Sequence, residues 1–116
     1  MSAERLLVIR LARQRWTLRL ADLAGVCEVP PLRRLPRVPH PVLGLAHRHG
    51  RIVTVLDLPA LLRDEPGEGA ESLLLLAAPR GHLGLRVRGE LRLTVPDAGD
   101  GEDGPLLPID LPVLLA

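Results

Sequence analysis

Four groups of residues in this 116-residue chain are of types that do chemistry. His47 and His49 alternate, which on an extended segment would aim both at one face, a spacing that can chelate zinc. A structural zinc site needs four ligands, and His40, His82 and Cys27 lie scattered along the chain. Cys27 beside Glu28 has the make-up of a nucleophile, but a neighbouring carboxylate disfavours the thiolate and no histidine is spaced as its partner. Asp97, Asp100, Glu102 and Asp103 imitate a calcium loop only in composition, since ligands at alternate positions with glycine at the sixth are lacking. Arg33, Arg34, Arg37, Arg48 and Arg51 would suit phosphates, yet the aromatic platforms on which bases stack are not interleaved with them. The plainer readings are exposed turn histidines, a small buried cysteine, a solvated acidic loop and a mixed-charge surface. No catalytic, cofactor-binding or metal-binding set is expected.

The elements that would position these side chains must be short. Hydrophobic residues make up 47% of the chain, with Trp16 the one aromatic, so the core is tiled from branched aliphatics suited to pleated strands. Twelve prolines and eleven glycines fall mostly between apolar runs, and an interior proline costs a helix about 3 kcal/mol. Fifteen basic residues, all arginine, balance fourteen acidic ones, leaving no net field to draw nucleic acid or anionic lipid. A single cysteine fits a reducing compartment. No apolar run reaches the ~20 residues of a membrane span, and Met1 to Arg10 lacks a basic region ahead of its apolar stretch. A cytoplasmic location is expected.

Leu6 to Ala12 reads as a strand, Arg13-Gln14-Arg15 as a turn, and Trp16, Leu18 and Leu20 as the apolar face of a second strand, with Trp16 filling a first barrel. Leu20 to Val29 suits either a helical turn or a bent strand. Leu32 to Leu35 is a short extended piece, and Pro36, Pro39 and Pro41 force a loop. Val42 to Ala46 and Ile52 to Leu56 are strands about a turn at His47 to Gly50. Asp57 to Leu62 reads as one helical turn, with Pro59 near its start. Arg63 to Ser72 is a polar linker and the expected subdomain boundary. Beyond it, Leu73 to Ala77, Leu83 to Val87 and Leu91 to Val95 repeat the strand pattern. Asp57-Leu58-Pro59-Ala60-Leu61-Leu62 returns as Asp110-Leu111-Pro112-Val113-Leu114-Leu115, which suggests two related lobes, each a small barrel.

One stretch carries more than composition. Leu35-Pro36-Arg37-Val38-Pro39-His40-Pro41-Val42-Leu43-Gly44-Leu45-Ala46, followed by His49-Gly50-Arg51-Ile52-Val53-Thr54-Val55-Leu56-Asp57-Leu58, resembles the centre of the chemotaxis coupling-protein family, the CheW-like domain. Val26-Cys27-Glu28-Val29 and Leu83-Gly84-Leu85-Arg86-Val87 resemble its flanking elements. The resemblance implies one all-β domain over 1–116, built of two small SH3-like β-barrel subdomains that share an aliphatic core, with one or two short helical turns. Subdomain one would run from about 6 to 62, with the linker at 63–72. A shortened subdomain two would cover about 73–116, with one strand-and-turn segment missing between Pro96 and Pro105.

The resemblance further implies an adaptor that joins a chemoreceptor, or another sensory protein, to the regulatory domain of a CheA-like histidine kinase. Carried over by position, Val26, Glu28, Gly44 and His49 are the partner-binding residues. His49 stands where the family has arginine, so a permanent cation gives way to a side chain charged only when protonated. Thr54 replaces a strand proline, and Arg88 an acidic residue. Gly50 and Gly84 read as backbone requirements. No nucleic acid and no membrane insertion are expected, while an exposed strand edge would open a route to homo-oligomers. The competing reading is a small nucleic-acid-binding barrel that uses the arginine cluster.

Overall fold

The computed structural model describes residues 4–96 and 104–115. The expected all-β architecture is observed. Strands β1 (Leu6–Arg10), β2 (Arg15–Arg19), β3 (Leu23–Cys27), β4 (Val42–Arg48) and β5 (Arg51–Asp57) precede a short helix α1 (Leu58–Leu61). Strands β6 (Glu71–Leu76), β7 (Leu83–Arg88), β8 (Leu91–Thr94) and β9 (Leu106–Pro108) follow, and α2 (Leu111–Leu114) ends the described chain. The undecided stretch after β2 is both things at once, a 3-10 turn at Leu20–Asp22 leading straight into β3.

Two sheets form, with strand orders β8-β1-β2-β9 and β3-β6-β7-β5-β4. The internal repeat is visible in them. The antiparallel hairpin β1–β2 corresponds to β6–β7. Strand β9 lies parallel to β2 and leads into α2, as β5 lies parallel to β7 and leads into α1. The third strand of each repeat is exchanged: β3 joins β6, and β8 joins β1. The stretch 63–72 therefore does not divide the sheets, each of which takes strands from both sides of it. Among the described residues, no strand holds beside β9 the place that β4 holds beside β5. Most of the segment expected to be shortened, and with it the acidic loop of Asp97, Asp100, Glu102 and Asp103, lies outside the described residues.

Alternation explains the cores. In β6, Leu74 and Leu76 face a large core between the sheets, with Leu7, Ile9, Leu18, Leu85 and Val87. Leu73 faces the other way, into a smaller core with Ala46, Val53 and Val55, against which Cys27 and Leu75 also pack. The two helices cap the large core through Leu58 and Leu111, both buried. Four-residue helices have no stability of their own, so this burial, worth roughly 2 kcal/mol per leucine, holds them. Asp110 caps its helix by accepting from the Val113 N–H at 3.3 Å. Asp57 makes no such cap; its carboxylate faces Arg86 and His40, each at 3.8 Å. Trp16 is partly buried and packs against this large core, and its indole N–H donates to a carboxylate.

That carboxylate is Asp64, within the expected linker. Asp64 is 8% exposed and accepts from the Arg13 N–H at 2.9 Å, Gln14 N–H at 3.1 Å, Trp16 Nε1–H at 3.0 Å and Glu65 N–H at 2.7 Å. Backbone bonds tie the same segment to both repeats: Ala12 N–H to the Glu65 carbonyl, and Gly67 N–H to that of Arg88. Gly67 passes so close to β1 that a Cβ there would lie 2.5 Å from the Arg10 carbonyl oxygen. The segment is a packed strap rather than a free linker. It is polar because its contacts are main-chain hydrogen bonds, which need no apolar side chains.

The second sheet curls around its small core. After β3 the chain turns at Pro30-Pro31 and comes back onto β4, where Arg33 and Leu45 exchange hydrogen bonds of 2.7 and 2.9 Å. This closure requires Gly44. Its φ is +150°, and a Cβ would sit 2.6 Å from the Arg33 carbonyl oxygen.

Two outcomes follow. Burial by itself would raise the Asp64 carboxyl, but the Trp16 indole and three backbone N–H groups bring it below the ordinary value of 3.8. A group with a lowered folded value stabilises the fold above its unfolded value, and that contribution is lost as pH falls through the folded one. Asp64→Ala should cost about 2–4 kcal/mol at neutral pH by urea titration. The gap from wild type should narrow below about pH 4; a gap that stays constant down to acid would contradict this account. Gly44→Ala should lower the urea midpoint by the equivalent of about 2 kcal/mol with an unchanged slope.

Candidate functional site

The residues expected to meet partners come from three places in the second sheet. Val26 lies on β3, an end strand of that sheet, and is 48% exposed. Glu28 follows just beyond β3 and is also exposed; in the alternation of this strand Ala24, Val26 and Glu28 are the outward residues. His49 occupies the turn between β4 and β5. The strands run further than expected, to Arg48 and from Arg51, so the turn is only His49-Gly50, with φ of +48° and +75°. Positive φ at both central residues matches the twist of a two-residue hairpin.

Tertiary structure brings Val26 and His49 together across a cleft of about 420 Å³ between β3 and the tip of the β4–β5 hairpin. Glu28 stands outside its lining, and among the described residues no ion pair joins Glu28 to His49. Gly44 is not in that lining; it is buried under the Arg33 bridge, which leaves no room for a Cβ. Val53 and Leu75 form an aliphatic floor, while Arg48 and Arg51 stand at the hairpin tip. Those two arginines face each other across the ladder as its last pair. Composition and spacing mark the arginines but not this pairing, which depends on the exact length of the turn.

The arginine cluster does not stay together. Arg48 and Arg51 line this cleft, whereas Arg34 lines another of about 440 Å³ with Leu35, Val38 and Arg86. His47 is exposed on β4 opposite Ile52, and among the described residues no group of three or more His, Cys, Asp or Glu side chains is placed to hold a metal ion. Cys27 is a free thiol packed on the small core.

The departures at positions 54 and 88 have structural uses. The Thr54 N–H donates to the His82 carbonyl at 2.9 Å, a bond no proline could make. Arg88 Nε–H donates to the Gly69 carbonyl at 3.1 Å and pins the strap.

Comparison with known proteins agrees with this architecture. No curated protein matches the chain. Among solved structures, the chain is similar to the scaffolding protein TtCheW from Thermoanaerobacter tengcongensis, with a TM-score of 0.72 and 20% sequence identity. The match covers 84% of this chain and 64% of that one, so the chain spans a little under two thirds of that protein's length. A family model, described as the CheW-like domain, matches residues 5–93, from the strand that opens the first sheet to the one exchanged into it. The chain belongs to the CheW-like domain family.

Proposed function

We propose that this protein is an adaptor in bacterial signal transduction, holding a chemoreceptor or other sensory protein against the regulatory domain of a CheA-like histidine kinase. The observation that carries the reading is the convergence of Val26 and His49 on one exposed cleft at the edge of the second sheet, in a chain of this family. Its work is geometric: weak interfaces, multiplied by effective concentration in an assembly, suffice to couple two partners without a reaction at either. The whole of 1–116 acts as one CheW-like domain in the cytoplasm, since the exchanged strands and the shared core leave neither half a complete sheet of its own. No helix among the described residues is long and apolar enough to cross a membrane. The end strands β3 and β8 each have one ladder partner among the described residues, which offers edges for strand addition by a partner or a second copy.

The separation of Arg34 from Arg48 and Arg51 weighs against the nucleic-acid reading, because a phosphate backbone is tracked by a continuous basic groove.

Capture of the kinase regulatory domain by the immobilised protein tests the proposal. Glu28 is exposed, so Glu28→Arg should keep the fold by circular dichroism while reducing capture about tenfold through charge reversal at the interface. Capture equal to wild type would remove Glu28 from the interface.

A further inference from the structure

A sheet edge invites pairing, and native edges carry devices that prevent it. Of the strands that end the two sheets, β4 receives Arg33 against its Leu45. Strand β3 has a break in register between Leu23 and Gly25, and β9 is three residues long and ends in Pro108, which has no N–H. Strand β8 instead pairs with β1 in regular register along its whole length. The phase of that ladder fixes which backbone groups β8 presents outward. The Arg10 N–H donates to the Glu90 carbonyl at 3.0 Å, which makes these two a hydrogen-bonded pair. Counting along the register, Val8 with Arg92 and Leu6 with Thr94 are bonded pairs too, so Leu91 and Leu93 turn their N–H and C=O groups away from β1. Opposite Ile9 and Leu7, they carry their side chains on the face of the large core. Leu91 packs on that core, but Leu93 is 53% exposed and Val95, next in the alternation, 37%. The outward backbone positions of this edge are therefore apolar and share one face.

We propose that β8 pairs antiparallel with β8 of a second copy, about a two-fold axis at Leu93, and so joins the first sheets of the two copies into one. A two-fold contact must be complementary to itself, and this strand is so in one register. With Leu93 opposite Leu93, Leu91 lies opposite Val95; the outward residues meet as hydrogen-bonded pairs and their exposed side chains cover one another. Arg92 then lies opposite Thr94, with no like charges directly opposed. A slide of two residues one way would set Arg92 against Arg92, a repulsive pair, and the other way would leave Leu91 with no apolar partner. An odd slide would set outward groups against groups already bonded to β1. So short a contact falls below the ~1,200 Å² of a standard stable complex, which makes the dimer weak and dependent on local concentration. Leu91, Leu93 and Val95 do not line the cleft of Val26 and His49, so the contact stands apart from the adaptor reading.

The test is sedimentation equilibrium of the full-length protein over a concentration series up to about 1 mM, the range in which a weak contact is populated. The mean mass should rise toward that of two copies. In nitrogen-15 NMR the Leu91 and Leu93 amides should gain protection from hydrogen exchange along the series, while the Arg92 amide, already bonded to β1, should not change. Leu93→Lys sets two ammonium groups against each other at the axis and should weaken association at least about tenfold, with the urea midpoint kept because Leu93 is half exposed. Thr94→Glu sets a carboxylate opposite Arg92 twice in each dimer and should tighten association about fivefold. A protein that stays monomeric throughout, association unchanged by Leu93→Lys, or association not tightened by Thr94→Glu would overturn the proposal. Association lost in Val26→Lys but kept in Leu93→Lys would place the contact on β3 and overturn it as well.

Discussion

Strand β6 is apolar on both faces, and the molecule is arranged around that fact. Leu74 and Leu76 enter the core between the sheets, while Leu73 enters the small core of the second sheet. A strand with no solvated side must lie in the interior of a sheet and be covered above and below. Strands β3 and β7 flank it, the first sheet covers one face, and the curled β4–β5 hairpin covers the other. Gly84 on β7 serves the same packing, since a Cβ there would lie 2.9 Å from Leu73 Cδ1 and 3.1 Å from Val53 Cγ1. The exchange of β3 and β8 then locks the repeats together, for each sheet is completed by a strand from the other half of the chain.

With few aromatic side chains to fill space, the closures rely on backbone. Arg33 bonds to Leu45 across a glycine, and the strap at 63–72 is drawn in by main-chain bonds and by the four donors around Asp64. Such contacts are directional and depend on distance, so they fix geometry where interchangeable leucines would allow slippage. The outcome is a firm platform whose β3 edge and hairpin tip remain outside the cores. A surface of this kind suits the adaptor role proposed above, which calls for a constant arrangement of exposed residues.

Much of this was legible in the sequence. Period-two alternation located most of the strands, because a half-buried strand needs it. The repeated Asp-Leu-Pro-x-Leu-Leu marked both helices, because proline tolerates the first helical turn and the leucine beside it must be buried. The Leu-Pro to Asp-Leu stretch identified the family. What the sequence left open is of another kind. Nothing in Arg63-Asp64-Glu65 distinguishes a buried acceptor from a solvated one, since the donors that bury Asp64 lie about fifty positions away in a turn. The strand exchange is equally silent, because β3 and β8 read alike whichever sheet they join. Gly44 matched a family position, but its need for a missing Cβ arises from the return of Arg33. Local pattern decides which segments are strands and which face is apolar; long-range closure alone decides which strands are neighbours, which polar groups leave water, and that Val26, Arg48, His49 and Arg51 share one cleft.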